Sequence, residues 1–147
     1  MKSRVGLLVV CVCSCVLGQQ QSTPTPETAR VANNVVFISP AEKFGVNLAV
    51  EGAEMPLNVS EEPDLKKANL VLSFKQEKGK MMLFTIENRT EHWLTYEAGM
   101  KVPQRDGFYK TSVLPVGPRL LSFESWPHPI DRLALKNFRF TERPAKK

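Results

Sequence analysis

Residues 70–86 read LVLSFKQEKGKMMLFTI, and this stretch indicates which secondary structure the chain forms. Apolar side chains occupy alternate positions on both sides of a polar interruption: Leu70, Leu72 and Phe74 before it, and Met82, Phe84 and Ile86 after it. A period of two is typical of a strand that buries one face. The interruption at residues 77–80 has a glycine between charged side chains, which favours a tight turn. The stretch therefore predicts a β-hairpin.

The same alternation recurs on either side of this hairpin. The further apolar sets are Val46, Leu48 and Val50, then Leu94 and Tyr96, and then Leu121 and Phe123. We expect each set to face a core, and Asp106-Gly107 adds a second turn signal. About seven or eight short strands without a long helical period predict an all-β fold, an antiparallel two-sheet sandwich of immunoglobulin-like topology. A small β-barrel is the alternative.

The last apolar run changes phase in its middle. Leu133 and Leu135 share one phase, whereas Phe138 and Phe140 share the other. A slip of one residue moves every side chain of a strand to the opposite face. A β-bulge near Lys136-Asn137 would keep all four apolar side chains inward, so we predict one there.

The first 18 residues have the pattern of a secretion signal. A short basic segment precedes an apolar run that holds all the cysteines of the chain: Cys11, Cys13 and Cys15. Cleavage before Gln19 would leave a mature chain without disulfides. The alternative is acylation of Cys15, which would anchor the protein to a membrane. We therefore expect export to the periplasm or cell envelope, with the extracellular space as the alternative.

The remaining chain divides into a spacer, one domain and a tail. Residues 19–34 are polar and contain two prolines, a composition that favours disorder. Residues 35–142 have the size of a single domain, the predicted β-sandwich. Residues 143–147 form a basic tail. No run after the signal is long enough to span a membrane.

Charge is distributed unevenly along the chain, whose formal net charge is +5. Residues 19–100 carry 8 basic and 11 acidic side chains, whereas residues 101–147 carry 10 basic and 4 acidic ones. A basic C-terminal third indicates a partner with negative charge, either an anionic membrane surface, a glycan or a protein. We do not expect nucleic acid as a partner, because the chain has no recognised nucleic-acid-binding motif.

The chain offers little for catalysis. His128 lies near Asp131 and Glu124 in sequence, so a secreted hydrolase that uses His128 with either carboxylate is the enzymatic alternative. A nucleophilic serine on a G-x-S-x-G turn is absent from the sequence. Two isolated histidines do not have the spacing of a zinc site, and no cofactor motif is present. We therefore predict no catalytic residues, no metal and no cofactor.

Aromatic and basic side chains crowd together after residue 101, and this crowding marks the candidate binding surface. Its members are Phe108, Tyr109, Arg119, Trp126, His128 and Arg132. Aromatic side chains and arginine anchor interfaces at low entropic cost. The alternative for Trp126 is that it covers one end of the core. The expected function is a non-enzymatic binding or structural module of the envelope, with an inhibitor-like module as a further alternative.

Two sequons are present, at Asn58 and Asn88. They are candidate glycan sites only if the chain passes through a eukaryotic secretory pathway.

Overall fold

The computed structural model describes residues 30–49 and 57–143. The predicted secretion signal with Cys15, the greater part of the predicted spacer and the residues after 143 lie outside the described residues. The described residues form strands connected by turns and loops. The strands, in chain order, are β1 (Val31–Ala32), β2 (Val35–Ile38), β3 (Glu42–Ala49), β4 (Asn58–Glu62), β5 (Leu70–Gln76), β6 (Met82–Asn88), β7 (Trp93–Lys101), β8 (Tyr109–Thr111), β9 (Leu121–Trp126) and β10 (Arg132–Thr141).

The strands form two antiparallel sheets of five strands each. Sheet A has the order β1-β2-β10-β7-β8, and sheet B has the order β4-β3-β5-β6-β9. The predicted two-sheet sandwich is confirmed, and the barrel alternative is wrong, because each sheet ends in edge strands. The structure describes ten strands where the sequence predicts about seven or eight. The additional ones include β1 and β8, which are too short for an apolar alternation to show.

The strand order is not that of an immunoglobulin domain, whose sheets hold strands ABED and CFG, because the four consecutive strands β3 to β6 all lie in sheet B here. Here β2 and β10, which lie near the two ends of the described chain, pair with each other antiparallel in the middle of sheet A. The chain also crosses between the sheets four times, after β2, β6, β8 and β9. These crossings bring the two edges β8 and β9 to the same side of the sandwich.

The core fills the space between the sheets with the alternating apolar side chains. The predicted hairpin is confirmed, since β5 pairs with β6 and places Phe74 opposite Phe84. Both phenylalanines are fully buried, and Phe74 also meets Trp126 edge-on with ring centroids 6.5 Å apart. Edge-to-face packing of this kind stabilises the core beyond the area it buries.

The predicted bulge is also confirmed. The pairing of β10 with β7 shifts register between Lys136 and Arg139, and Asn137 has a positive φ of 55°. Leu135 before the bulge and Phe138 after it are both buried. The extra residue therefore corrects the phase of β10, as the sequence pattern requires.

The prediction for β9 is wrong in one respect, because its apolar pair faces outward. Leu121 is 47% exposed and Phe123 is 59% exposed, whereas Trp126 is 8% exposed. At the edge of sheet B, β9 buries one of its two phases and leaves the other exposed. Trp126 shares its phase with Ser122 and Glu124, and the large indole gains more from burial than the smaller side chains do. The register therefore follows Trp126.

The ordered domain begins before residue 35, the boundary that the sequence predicts. Val31 and Ala32 of the predicted spacer form β1, which pairs with β2 across the turn at Asn33-Asn34. Both asparagines have positive φ, 52° and 60°. Asparagine tolerates this conformation, and two such residues in succession form the type I′ turn that closes a β-hairpin. Asn33-Asn34 is therefore a turn signal inside a segment whose polar composition predicts disorder.

Candidate functional site

A groove crosses the outer face of sheet A, and its floor consists of two small residues. One row of paired residues runs across the sheet in the order Phe37, Ala134, Gly99 and Lys110. Directly paired residues of antiparallel strands point to the same face. The row therefore has large side chains at its ends and small ones in its middle, which leaves a depression of about 340 Å³ along β10 and β7.

Phe108 lies over this depression and gives it an aromatic wall. The residue precedes β8, and its ring meets the ring of Phe37 at a centroid distance of 5.9 Å. Phe108 can lie this close to β7 because residue 99 is a glycine. A methyl group added at Gly99 would lie 3.3 Å from the Cβ of Phe108. The guanidinium of Arg132 stacks on Phe37 at 4.6 Å from the ring centroid. Phe108 and Arg132, two of the predicted binding residues, thus meet at the same ring.

Charged side chains line the rest of the groove. Lys110 and Lys136 are exposed, and Glu97 lies directly opposite Lys136 in the register of β7 and β10. The backbone groups beneath them belong to the ladders that join β2, β10, β7 and β8. The groups that this groove offers to a ligand are therefore side chains: two aromatic rings, two ammonium groups and one carboxylate.

Two other predicted residues, Tyr109 and His128, line a second depression at the loop between β7 and β8. This pocket has a volume of about 580 Å³ and includes Arg105, whose guanidinium lies 5.8 Å from the Tyr109 ring centroid. Asp106-Gly107 turns the chain within this loop, where Gly107 has a φ of 79°. Phe108 and Tyr109 are neighbours in sequence but point to different depressions, so the predicted surface divides at β8.

Trp126 does not belong to a surface, contrary to its place among the predicted binding residues. The indole is buried, and its Nε1 donates a hydrogen bond to the Thr111 hydroxyl at 3.0 Å. This bond links β9 of sheet B to β8 of sheet A. The alternative, that Trp126 covers the core, is what the structure describes, because burying a large indole stabilises the fold more than exposing it would.

Arg119 lies at the opposite end of the sandwich from Tyr109 and His128. Its guanidinium pairs with Glu91, next to the start of β7, whereas Asp131 bonds to the carbonyl of Lys101 at the end of β7. The nine residues of β7 span roughly 27 Å, so Arg119 and His128 cannot contact one ligand group. The Arg119 guanidinium lowers the pKa of Glu91, mainly through their hydrogen bond.

The side chains of the hydrolase alternative do not form a contact with one another. Nδ1 of His128 lies 3.2 Å from the carbonyl oxygen of Pro129. Glu124 accepts a hydrogen bond from the backbone N–H of Leu114 at 2.8 Å. Among the described residues, no hydrogen bond or ion pair joins His128 to Asp131 or to Glu124. An acid–base pair needs its members within hydrogen-bond reach.

Four aromatic or charged residues of the groove were missed by the sequence analysis: Phe37, Glu97, Lys110 and Lys136. Phe37 occupies the phase opposite to Val36 and Ile38, and this outward phase was the signal that an exposed aromatic side chain lies there. Its contact with Phe108 joins positions 71 residues apart, which a search of the C-terminal crowding alone does not reach.

The described ranges, residues 30–49 and 57–143, contain no group of three or more histidine, cysteine or acidic side chains that could hold a metal ion. Within the same ranges, no helix is long and apolar enough to cross a membrane. No family model, no curated protein and no solved structure matches this chain.

Proposed function

We propose that the chain is an exported, non-enzymatic binding module and that the groove on the outer face of sheet A holds an anionic partner. The observation that carries the proposal is the row from Phe37 to Lys110, in which two small residues separate large ones under the ring of Phe108. Binding sites combine a mostly apolar concave surface with a few polar groups that fix orientation. The groove has both features.

Charge supports an anionic partner. The groove itself holds Lys110 and Lys136 against Glu97, and Arg132 lies at its end on Phe37. Three of the ten basic side chains of residues 101–147, Lys110, Arg132 and Lys136, are thereby brought to one face by β8 and β10. A basic concave surface raises the local concentration of anions and speeds their association.

The groove is a better candidate than the pocket at Tyr109 and His128 because most of its lining residues, although not Phe108, stand on paired strands. The floor and most of the rim belong to β2, β7, β8 and β10, whose ladders hold them in place. The larger pocket is formed in part by residues 102–105 of a loop. Sites on strands keep their geometry more closely than sites on loops.

Charge reversal in the groove tests this proposal. We expect the full-length protein with Lys110→Glu and Lys136→Glu to elute from an immobilised polyanion at clearly lower salt than the unchanged protein. The control carries Lys78→Glu and Lys80→Glu in the exposed turn after β5, which changes the net charge equally. Equal elution of the two double variants would mean that net charge alone is responsible, and the proposal would fail.

Export is proposed from the N-terminal sequence, and the mass of the protein from its native source tests it. A mass that corresponds to residues 19–147 would mean cleavage before Gln19. A mass that begins at Cys15 and includes acyl chains would mean a membrane-anchored lipoprotein. The mass of the complete chain would contradict export through this signal.

A further inference from the structure

We infer that the occupant of the groove is an acidic polysaccharide, with sugar rings packed on Phe37 and Phe108 and carboxylates paired with Lys110 and Lys136. This inference rests on the proposed function and names the class of partner. Three features of the groove favour a polysaccharide over an acidic peptide or an anionic membrane.

The first feature is the position of the groove on a face of the sheet rather than at an edge. Extended peptides commonly bind by adding a strand to a sheet edge, where backbone groups are free to pair. Between β2 and β8 the backbone groups pair within sheet A. An extended peptide would bring its own N–H and C=O groups to a surface that has no ladder to receive them, at a cost in desolvation. A sugar chain has no such backbone.

The second feature is the pair of aromatic rings next to the lysines. Phe37 and Phe108 both line the groove, and their ring planes are tilted by 52° to each other. The Arg132 guanidinium covers part of Phe37, so Phe108 is the more open of the two rings to a sugar. Ring faces carry partial negative charge and attract the polarised C–H groups of a sugar. A uronic acid has such C–H groups on its ring and a carboxylate at its edge, which matches a phenyl wall beside an ammonium group.

The third feature is Glu97, which lies between the strands that carry Lys110 and Lys136. A carboxylate only accepts hydrogen bonds, and it repels the acidic groups of any anionic ligand, so it favours a ligand that also brings hydrogen-bond donors to this position. Sugar hydroxyls donate hydrogen bonds, so Glu97 can hold one while the lysines hold the acidic groups. The mixture of charges fits a ligand that is both acidic and rich in hydroxyls.

Calorimetry measures the affinity of the full-length protein for three oligomers. They are a galacturonate oligomer, a glutamate oligomer with the same number of carboxylates, and the neutral galactose oligomer. We expect the galacturonate oligomer to bind most tightly. The variant Phe108→Ala should weaken its binding by about tenfold or more, as truncation of an interface anchor does. Phe123→Ala is the matched control, because Phe123 is an exposed phenylalanine on sheet B.

Variants at the polar positions and at the floor complete the test. Glu97→Gln removes a repulsive charge for both oligomers but a hydroxyl acceptor only for galacturonate, so it should strengthen glutamate binding more than galacturonate binding. Gly99→Ala should displace Phe108 and act in the same direction as Phe108→Ala, so the result does not depend on one substitution. Thermal unfolding of each variant should match that of the unchanged protein.

The outcomes separate the inference from the proposed function. Tighter binding of the glutamate oligomer, unaffected by Phe108→Ala, would overturn the polysaccharide and leave an anion-binding groove. Vesicles that contain anionic lipid are a fourth probe, and binding to them but not to any oligomer would likewise overturn the inference in favour of a membrane surface. No difference between the groove variants and the Phe123→Ala control with any probe would overturn both.

Discussion

Asn88 shows how much a single buried side chain can organise. It is completely buried, and its amide nitrogen donates to the carbonyls of His92, Val116 and Gly117 at 2.8–3.2 Å. Its side-chain oxygen accepts from the N–H and the hydroxyl of Thr90. The amide therefore joins the end of β6, the turn before β7 and the connection between β8 and β9. The nitrogen of the Asn88 sequon is thus engaged and buried in the folded chain.

Asn88→Asp should destabilise the fold by about 3–5 kcal/mol, because it would direct a buried carboxylate at three carbonyl oxygens. Urea unfolding measures the change. Asn58→Asp is the control, since the Asn58 oxygen only accepts from Asn34 at 2.8 Å, a role that a carboxylate retains. Similar losses for the two variants would show that the hydrogen bonds of Asn88 are not what holds these segments.

In contrast to Asn88, Tyr96 has a buried hydroxyl whose loss of hydration is not offset by a hydrogen bond within the described residues. Its ring stacks on Phe138 at 5.9 Å, and its hydroxyl has no hydrogen-bond partner among the described residues. Burial, together with the charge of Glu124, raises the pKa of the Tyr96 hydroxyl. The folded state therefore keeps the hydroxyl neutral where the unfolded chain ionises it. This contribution to stability is present below pH 10, the ordinary pKa, and is lost as the pH rises through the folded pKa.

Tyr96→Phe should leave stability unchanged at neutral pH or raise it by about 1 kcal/mol, because an unsatisfied buried hydroxyl costs free energy. The advantage of the variant should widen above pH 10, where the unfolded tyrosine ionises. Denaturant unfolding as a function of pH measures both effects, and exposed Tyr109→Phe serves as the control. A clear loss of stability at pH 7 would show that the hydroxyl has a stabilising partner.

At the scale of elements, the bulge of β10 lets this strand direct apolar side chains into the core both before and after residue 137. Asn137 adopts the left-handed conformation, with a φ of 55°. This conformation strains most side chains, a β-branched one above all, whereas glycine adopts it freely. The residue type at position 137 therefore matters for its backbone rather than for its contacts.

Asn137→Val should destabilise the protein by about 1–3 kcal/mol, and Asn137→Gly should be neutral or slightly stabilising. Thermal unfolding of both variants tests the order. Arg139→Val is the control, because Arg139 is exposed on the same strand and has the extended conformation that valine prefers. If valine at 137 were tolerated as well as glycine, the bulge would not depend on the left-handed residue.

The elements that the sequence predicts correctly are those with a long and uniform period. The hairpin at residues 70–86 and the bulge at Lys136-Asn137 follow from apolar spacing alone, because the register of a half-buried strand is set by which phase is apolar. For β9 the two phases compete, and Trp126 prevails over Leu121 and Phe123. The relative cost of exposing an indole and two smaller side chains at a sheet edge depends on neighbours that periodicity does not show.

The groove could be predicted only in part for a similar reason. Phe108 and Arg132 stood out by crowding after residue 101, but the ring that unites them, Phe37, comes from β2. The pairing of β2 with β10 is a long-range contact that no local pattern specifies. Gly99 and Ala134 likewise form the floor of a groove only because β7 and β10 lie side by side.

At the scale of the whole molecule, the two open sides of the sandwich differ in chemistry. On the side of β1 and β4, hydrogen bonds between polar side chains join the two sheets. Arg30 donates to Glu61 at 2.9 Å, and Asn34 donates to Asn58 at 2.8 Å. On the side of β8 and β9 the surface is apolar. Six of the seven large exposed apolar side chains of the described residues lie there: Phe108, Tyr109, Leu114, Leu120, Leu121 and Phe123.

An exposed edge strand with outward apolar side chains promotes association between copies of a chain. We expect the protein to scatter more light as its concentration rises, and the double variant Leu121→Lys and Phe123→Lys to suppress this increase. Stability should change by less than about 1 kcal/mol, because both side chains are largely exposed and β9 keeps its register through Trp126. Static light scattering and thermal unfolding on the same samples measure the two effects.

The control adds the same charge on the other side of the sandwich, with Ala49→Lys and Ser60→Lys on the exposed positions of β3 and β4. If both double variants lowered scattering equally, net charge rather than the apolar edge would be the cause. If the β9 variant unfolded, its outward side chains would contribute to the fold. Selective suppression would assign the association to β9, and it would separate this surface from the groove on sheet A, whose lysines the substitutions leave in place.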